Sequence, residues 1–114
     1  MQFSKQSQDW LDSLNIPLLI REYRIPENKS RPVDGYDPAT NTVYQYHGDF
    51  FHGNPKLFNP YDLNTLTKHT HGELYANTLK KDQELRDYGY NLVVMWEFDW
   101  TNNGKKRKLV TDEG

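Results

Sequence analysis

Cysteine is absent from this 114-residue chain, which rules out disulfides, a thiol nucleophile and any zinc site built on thiolates. No structural zinc is therefore expected. Long apolar runs are also missing, and no stretch approaches the roughly 20 residues that a membrane-crossing helix needs. The opening Met1, Gln2, Phe3, Ser4 lacks the apolar core of a secretion signal. A soluble intracellular protein, cytoplasmic or nuclear and without a membrane partner, is the expectation. Charge of one sign is scarce too: 14 Lys and Arg stand against 16 Asp and Glu. A protein that coats nucleic acid by bulk electrostatics carries a basic excess, and this chain does not. The objection is weaker for a nuclease, where divalent ions held by carboxylates bridge an acidic site to phosphate.

Hydrophobic residues make up only 35% of the chain, yet 8 Tyr, 5 Phe and 3 Trp supply large rings. An aromatic-rich, partly polar interior follows. The length suits one α/β domain, taken as residues 1–100, followed by a flexible basic tail over 101–114. Phe3, Ser7, Trp10, Leu11 and Leu14 recur at helical spacing, with Ser4 placed as a cap and Pro17 beyond the end, so a helix is predicted over 4–14. Leu18 to Ile25 reads as a first strand and Arg31 to Tyr36 as a second. Thr42 to His47, rich in β-formers and halted by Gly48, is a third. Residues 48–71 hold no sustained period and read as a long connection. A helix over 72–88 stops at Gly89, and a last strand alternates from Tyr90 to Phe98. The order is helix, three antiparallel strands, helix, strand, around a mixed central sheet.

Hydrolysis of a phosphodiester needs a cation for the developing charge, an activated water and a proton for the leaving oxygen. The predicted hairpin brings Asp34 opposite Gln45, Tyr46 and His47 on the next arm, and Glu22 on the preceding strand is placed to join them.

Val33, Asp34, Gly35 and Tyr36, then a short loop, then Val43 to Gly53 with His47 and His52 in a His-Gly-x-x-x-His unit, resemble the PD-(D/E)XK, or restriction-endonuclease-like, nuclease superfamily. Within it the pattern is similar to very-short-patch-repair endonucleases and related viral and homing nucleases. The likeness continues through Gly72 to Tyr75, Lys80 to Asp82 and Gly89 to Glu97, covering about residues 7–100 in order. It implies a magnesium-dependent DNA endonuclease, with manganese as an alternative ion. Asp34 would be the central metal ligand, aided by Gln45 and by the backbone carbonyl of Tyr46. His47 and His52 would act at the attacked phosphate, with Lys81 near it. The family's upstream acid sits on the first helix or first strand in different relatives, and Glu22 is preferred to Asp9 or Asp12.

Two departures matter. Gln45 stands where many members of the superfamily have an acid, and the repair enzymes' Cys/His zinc site has no counterpart around Asp49, Gly53 and Asn54. Phe50 and Phe51 match aromatic residues that wedge between base pairs; the plainer reading is a loop anchor. Asp34 alone would read as a turn cap, and His52 as a residue pinning its loop. His69 and His71 are taken as exposed loop histidines outside the site. Lys105, Lys106, Arg107 and Lys108 offer a phosphate-binding arm, an import-like segment or mere solubility. A non-catalytic DNA-binding or interaction module on the same fold is the alternative function. One site makes one cut, so double-strand cleavage would call for a homodimer or sequential events.

Overall fold

The computed structural model describes residues 4–102. Helix α1 (Lys5–Ser13) begins where Ser4 Oγ accepts from the Ser7 amide at 3.1 Å, satisfying one of the open amides of the first turn. Its inward face carries Ser7, Trp10 and Leu11, all buried. Strands β1 (Ile20–Tyr23), β2 (Val33–Asp37) and β3 (Thr42–His47) follow, then the short helix α2 (Asp49–His52), helix α3 (His71–Asp87) and strand β4 (Asn91–Trp96).

The strands form one mixed sheet in the order β1-β2-β3-β4. β1 and β3 both run antiparallel to β2, with Arg21 opposite Gly35 and Gly35 opposite Tyr44. β4 lies parallel to β3, and Thr42 to His47 register on Asn91 to Trp96. A parallel neighbour needs a crossover, and α3 lies within it. The chain is thus a mixed α+β structure with a four-stranded mixed sheet. No described helix is long and apolar enough to cross a membrane.

The helices cover opposite faces of the sheet. On the α1 side, Trp10 packs edge-on against Tyr44 and tilted against Tyr46, both at 6.1 Å. Gly35 belongs there because a Cβ would stand 3.0 Å from Leu19 Cδ1 and 3.3 Å from Leu11 Cδ2. Ile25, Val33, Val43 and Leu85 form the core that joins sheet to α3, with Tyr23, Tyr36, Tyr90 and Leu92 packed against it. The aromatic-rich interior expected from composition is therefore an aromatic margin. Trp10 is the one ring among the largest fully buried side chains, while Tyr36, Tyr46 and Tyr90 hold their hydroxyls on Asn41 at 2.8 Å, Gln6 at 2.9 Å and Glu27 at 2.6 Å.

Several elements differ from expectation, among them the second strand, which is Val33–Asp37 rather than 31–36. The first strand is Ile20–Tyr23, shorter than 18–25. The last strand ends at Trp96, and residues 97–102 are helical. Asp49 explains that turn, since its Oδ1 accepts from the Phe98 amide at 3.2 Å while its own amide donates to Glu97 Oε1 at 3.1 Å. The expected basic tail thus begins inside a helix. Its residues 103–114, including Lys105, Lys106, Arg107 and Lys108, lie outside the described residues.

The long connection is folded as well. It contains α2, and Asn64, 1% exposed, organises its second half: Nδ2 donates to the Phe50 carbonyl, and Oδ1 accepts from the amides of Leu66 and Thr67. His69 is exposed as expected, but His71 is buried and stacks on Phe58 at 4.3 Å. Thr70 and Glu73 close a reciprocal cap, which starts α3 one residue before Gly72.

Candidate active site

Side chains alternate along a strand, so Asp34 and Tyr36 on β2 share a face with Val43, Gln45 and His47 on β3. That face is covered by α3. It gathers most of the residues singled out in the sequence, in two neighbouring groups.

The first group is built on an interrupted ladder. The described β2–β3 pairs run from Asp37 and Thr42 to Gly35 and Tyr44, and beyond them side chains take over. Asp34 Oδ2 accepts from the Tyr46 amide at 2.6 Å, and Gln45 Oε1 accepts from the Asp34 amide at 3.1 Å. Each side chain satisfies a backbone donor that pairing would otherwise satisfy. Gln45 therefore holds the backbone of Asp34.

Asp34 is 8% exposed, and burial pushes its carboxyl up to about 6. The Tyr46 amide and the charge of His47 pull it back down, while Glu22 pushes it further up. Glu22 falls between the registered pairs Arg21–Gly35 and Tyr23–Val33, opposite Asp34. Its φ of 52° is left-handed backbone inside a strand. That conformation costs a non-glycine residue about 1–2 kcal/mol, and such strain collects where a side chain must be aimed. Asp9 pairs with Lys5, and Asp12 pairs with Arg21. Glu22 is thus the one of the three acids whose charge bears on Asp34.

Among the described residues no group of three or more His, Asp or Glu side chains converges as a metal cage. The oxygen set here is two carboxylates, from Asp34 and Glu22, with the Tyr46 carbonyl on the strand beside them. A hard ion that keeps much of its water and takes one or two carboxylates suits such a set; zinc, which seeks imidazole and thiolate, does not. A buried carboxylate beside a second one is also the arrangement whose charge a divalent ion offsets. The residues fit magnesium.

The second group is a pair of imidazoles. His47, 4% exposed, places Nε2 2.9 Å from Asp82 Oδ2 and 3.2 Å from Oδ1. An ionised carboxylate only accepts, so the Nε2 that faces Asp82 carries a proton, while no described hydrogen bond reaches Nδ1. His52 lies with its ring centroid 4.5 Å from that of His47. Its Nδ1 is 2.9 Å from Thr78 Oγ1, whose single hydrogen goes to the Leu74 carbonyl at 2.9 Å. With that hydrogen on Leu74, Thr78 accepts from His52, which places the imidazole proton on Nδ1 and leaves a lone pair on Nε2. Burial, followed by the charge of His47, lowers His52 to about 4, with Asp82 acting the other way and Lys81 and Arg31 lowering it further. The ring is neutral at pH 7. Trp96 packs edge-on against both rings, at 5.0 Å and 6.3 Å.

Lys81 is half-buried on α3, and its ammonium is lowered by burial and by Arg31. Phe51 stands out at 57% exposed, whereas Phe50 is half-buried against Phe58 and His71. Around Asp49 and Asn54, where the repair enzymes' zinc site would fall, there is a hydrogen-bonded knot: Asn54 Nδ2 donates to Asp49 Oδ1 at 2.7 Å.

Thr78 and Asp82, which hold His52 and His47, were not singled out by sequence reasoning. Their signal was present: they sit four apart, on the inward face that continues to Leu85, and a polar residue on such a face needs a partner. No family model matches the chain, and no curated protein or solved structure is significantly similar to it.

Proposed function

We propose that this chain is a divalent-metal-dependent DNA endonuclease on a restriction-endonuclease-like core, of the type carried by viruses or mobile elements. One observation carries the reading. A buried carboxylate raised to about 6, Asp34, shares a sheet face with His47, whose ring packs on that of His52 at 4.5 Å, and each imidazole is held through one nitrogen by a side chain of α3. Both rings are held from α3, His47 by Asp82 and His52 by Thr78.

Asp34 and Glu22, with the Tyr46 carbonyl, would hold magnesium, which when bound neutralises charge on the phosphate and lowers the pKa of a water. The other tasks fall to the chain. His52 Nε2 accepts a proton from a water while Thr78 keeps the ring in the productive tautomer. A proton taken from solvent at His47 Nδ1 gives a cation stabilised by Asp82 on the far nitrogen, and His47 passes that proton to the departing oxygen as its bond to phosphorus breaks and the water oxygen bonds to phosphorus. Gln45 acts by fixing the Asp34 backbone. Phe51 offers an exposed ring for stacking against bases beside the cut.

The test is supercoiled plasmid with magnesium or manganese. Nicked product is expected from the parent and none from Asp34→Asn at unchanged melting temperature. If that variant cuts at the parental rate, the reading fails. If the parent binds DNA but never cuts it, the chain is the non-catalytic binding module that Gln45, standing in place of an acid, also suits.

A further inference from the structure

A cavity of about 260 Å³ opens beside the histidine pair, lined by Asn54, Pro55, Lys56, Tyr75, Trp96 and Asp99. None of these residues has a part in the chemistry proposed above. Trp96 joins the two places: its ring packs edge-on against His47 and His52 at 5.0 Å and 6.3 Å, and it meets Tyr75 of α3 at 6.0 Å with the planes tilted by 44°. The two half-buried rings give the cavity an aromatic wall. Its volume falls below the roughly 300–1,000 Å³ of sites for drug-sized ligands, which sizes it for a single flat ring system rather than a base pair.

The polar end of the cavity is a Lys–Asp pair that the chain holds from behind. Asp49, 7% exposed, accepts at Oδ1 from Asn54 Nδ2 at 2.7 Å and from the Phe98 amide at 3.2 Å, and Asn54 Oδ1 accepts from the Lys56 amide at 2.9 Å. One buried carboxylate thus fixes both the segment that bears Lys56 and the segment that bears Asp99. Lys56 Nζ donates to Asp99 Oδ1 at 3.0 Å and lies 5.4 Å from the centroid of the Phe98 ring. No described hydrogen bond reaches Asp99 Oδ2, and the ammonium has two hydrogens beyond the one given to Asp99. The pair therefore offers an accepting carboxylate next to a donating ammonium. Stacking on the aromatic wall suits any base, but this polar edge does not. Guanine alone presents two adjacent N–H groups, at N1 and the N2 amino, beside an accepting O6. Adenine and cytosine present one donor group each, and thymine a donor between two acceptors.

We propose that this cavity binds one unpaired guanine of a nucleic-acid strand, stacked on Tyr75 and Trp96, with its N1 and N2 hydrogens on Asp99 and its O6 on Lys56. The choice of a nucleic acid rests on the nuclease reading, which the pocket supplies with a substrate preference: a strand whose guanine is single-stranded or turned out of the duplex beside the cut. Binding is measured in EDTA, without cleavage, by the anisotropy of a labelled oligothymidine carrying one central guanine, against the same strand with inosine, adenine or thymine at that place. The guanine strand is expected to bind about tenfold more tightly than the adenine and thymine strands, with inosine, which lacks the N2 amino group, in between. Asp99→Asn should remove the preference at unchanged melting temperature, and Tyr75→Leu should weaken all four strands while keeping their order. Guanosine monophosphate should shift the NMR resonance of the Trp96 indole N–H. Four strands of equal affinity, no strand bound, a preference that survives in folded Asp99→Asn, or a Trp96 resonance left in place overturns the pocket, even if the protein cuts plasmid. A parent that shows the preference and the shift yet never cuts with magnesium sinks the nuclease reading and leaves the pocket standing.

Discussion

His52 gains its chemistry from a hydroxyl that has nothing left to donate. With the Thr78 hydrogen on Leu74, the imidazole gives its own to Thr78, so in the proposed reaction the accepting nitrogen is chosen by a residue 26 positions away. Thr78→Val removes that acceptor without changing side-chain size much, whereas Thr78→Ser keeps it. Single-turnover cleavage should fall for the valine variant and recover for serine. His52→Ala should lower the rate by roughly 10²–10⁴-fold with DNA affinity near the parent's. If His52 only pinned α2, its loss would lower the melting temperature and leave the folded fraction cutting at the parental rate. A histidine expected to titrate near 6.5 sits instead at about 4. Composition and spacing do not carry that shift, because it comes from burial and from the charges of His47, Lys81 and Arg31.

At the scale of elements, regular repeats were the legible part. Thr42–His47 matches the expected strand at both ends, because β-formers fill it and Gly48 follows. The α3 helix differs by a single residue at each end from the expected 72–88. The alternation of β2 and β3 was enough to bring Asp34, Gln45 and His47 to one face. Helix α2 stayed hidden because four residues are too few to show a period, and the Asn64 knot because it is made of side-chain bonds to backbone. Asp82 was hidden by its charge, which on a helix usually marks a solvated face.

The seating of α2 depends on Gly53, whose φ of 65° and ψ of 47° end the helix in left-handed backbone. A Cβ there would lie 2.1 Å from the His71 carbonyl oxygen, a backbone atom at the start of α3. Gly53→Ala therefore combines a conformational cost of about 1–2 kcal/mol with an overpacking cost of similar size. Its melting temperature should drop by roughly 8 °C or more. A drop of less than a few degrees would mean that α2 is seated more loosely than the geometry requires.

Over the whole molecule, Asp34 and His52 titrate in opposite senses across nearly the same range. Asp34 is raised from 3.8 to about 6, so the folded state holds its proton more tightly, and stability from this group is lost as pH rises from about 4 to 6. His52 is lowered from 6.5 to about 4, so stability from it is lost as pH falls from about 6.5 to 4. Each amounts to roughly 3 kcal/mol at 1.36 kcal/mol per unit, and between pH 4 and 6 they offset one another. Denaturant unfolding in EDTA should show the parent nearly flat over that range. Asp34→Asn should become more stable as pH rises, and His52→Gln less stable. Equal slopes in all three proteins would contradict the two shifts.

The order of the strands carries one more consequence. Gly35 and Tyr44 are nine residues apart, but Thr42 and Asn91 are 49 apart. The carboxylate half of the site can thus form by closing short hairpins, while the histidine half waits on the slower closure of a long loop that delivers Thr78, Asp82 and Trp96. During synthesis a chain that had emerged only as far as β3 would already carry Glu22 and Asp34, yet only His47 of the two histidines and nothing to orient it. Under the proposed nuclease reading, competence is thereby deferred until the last strand has docked.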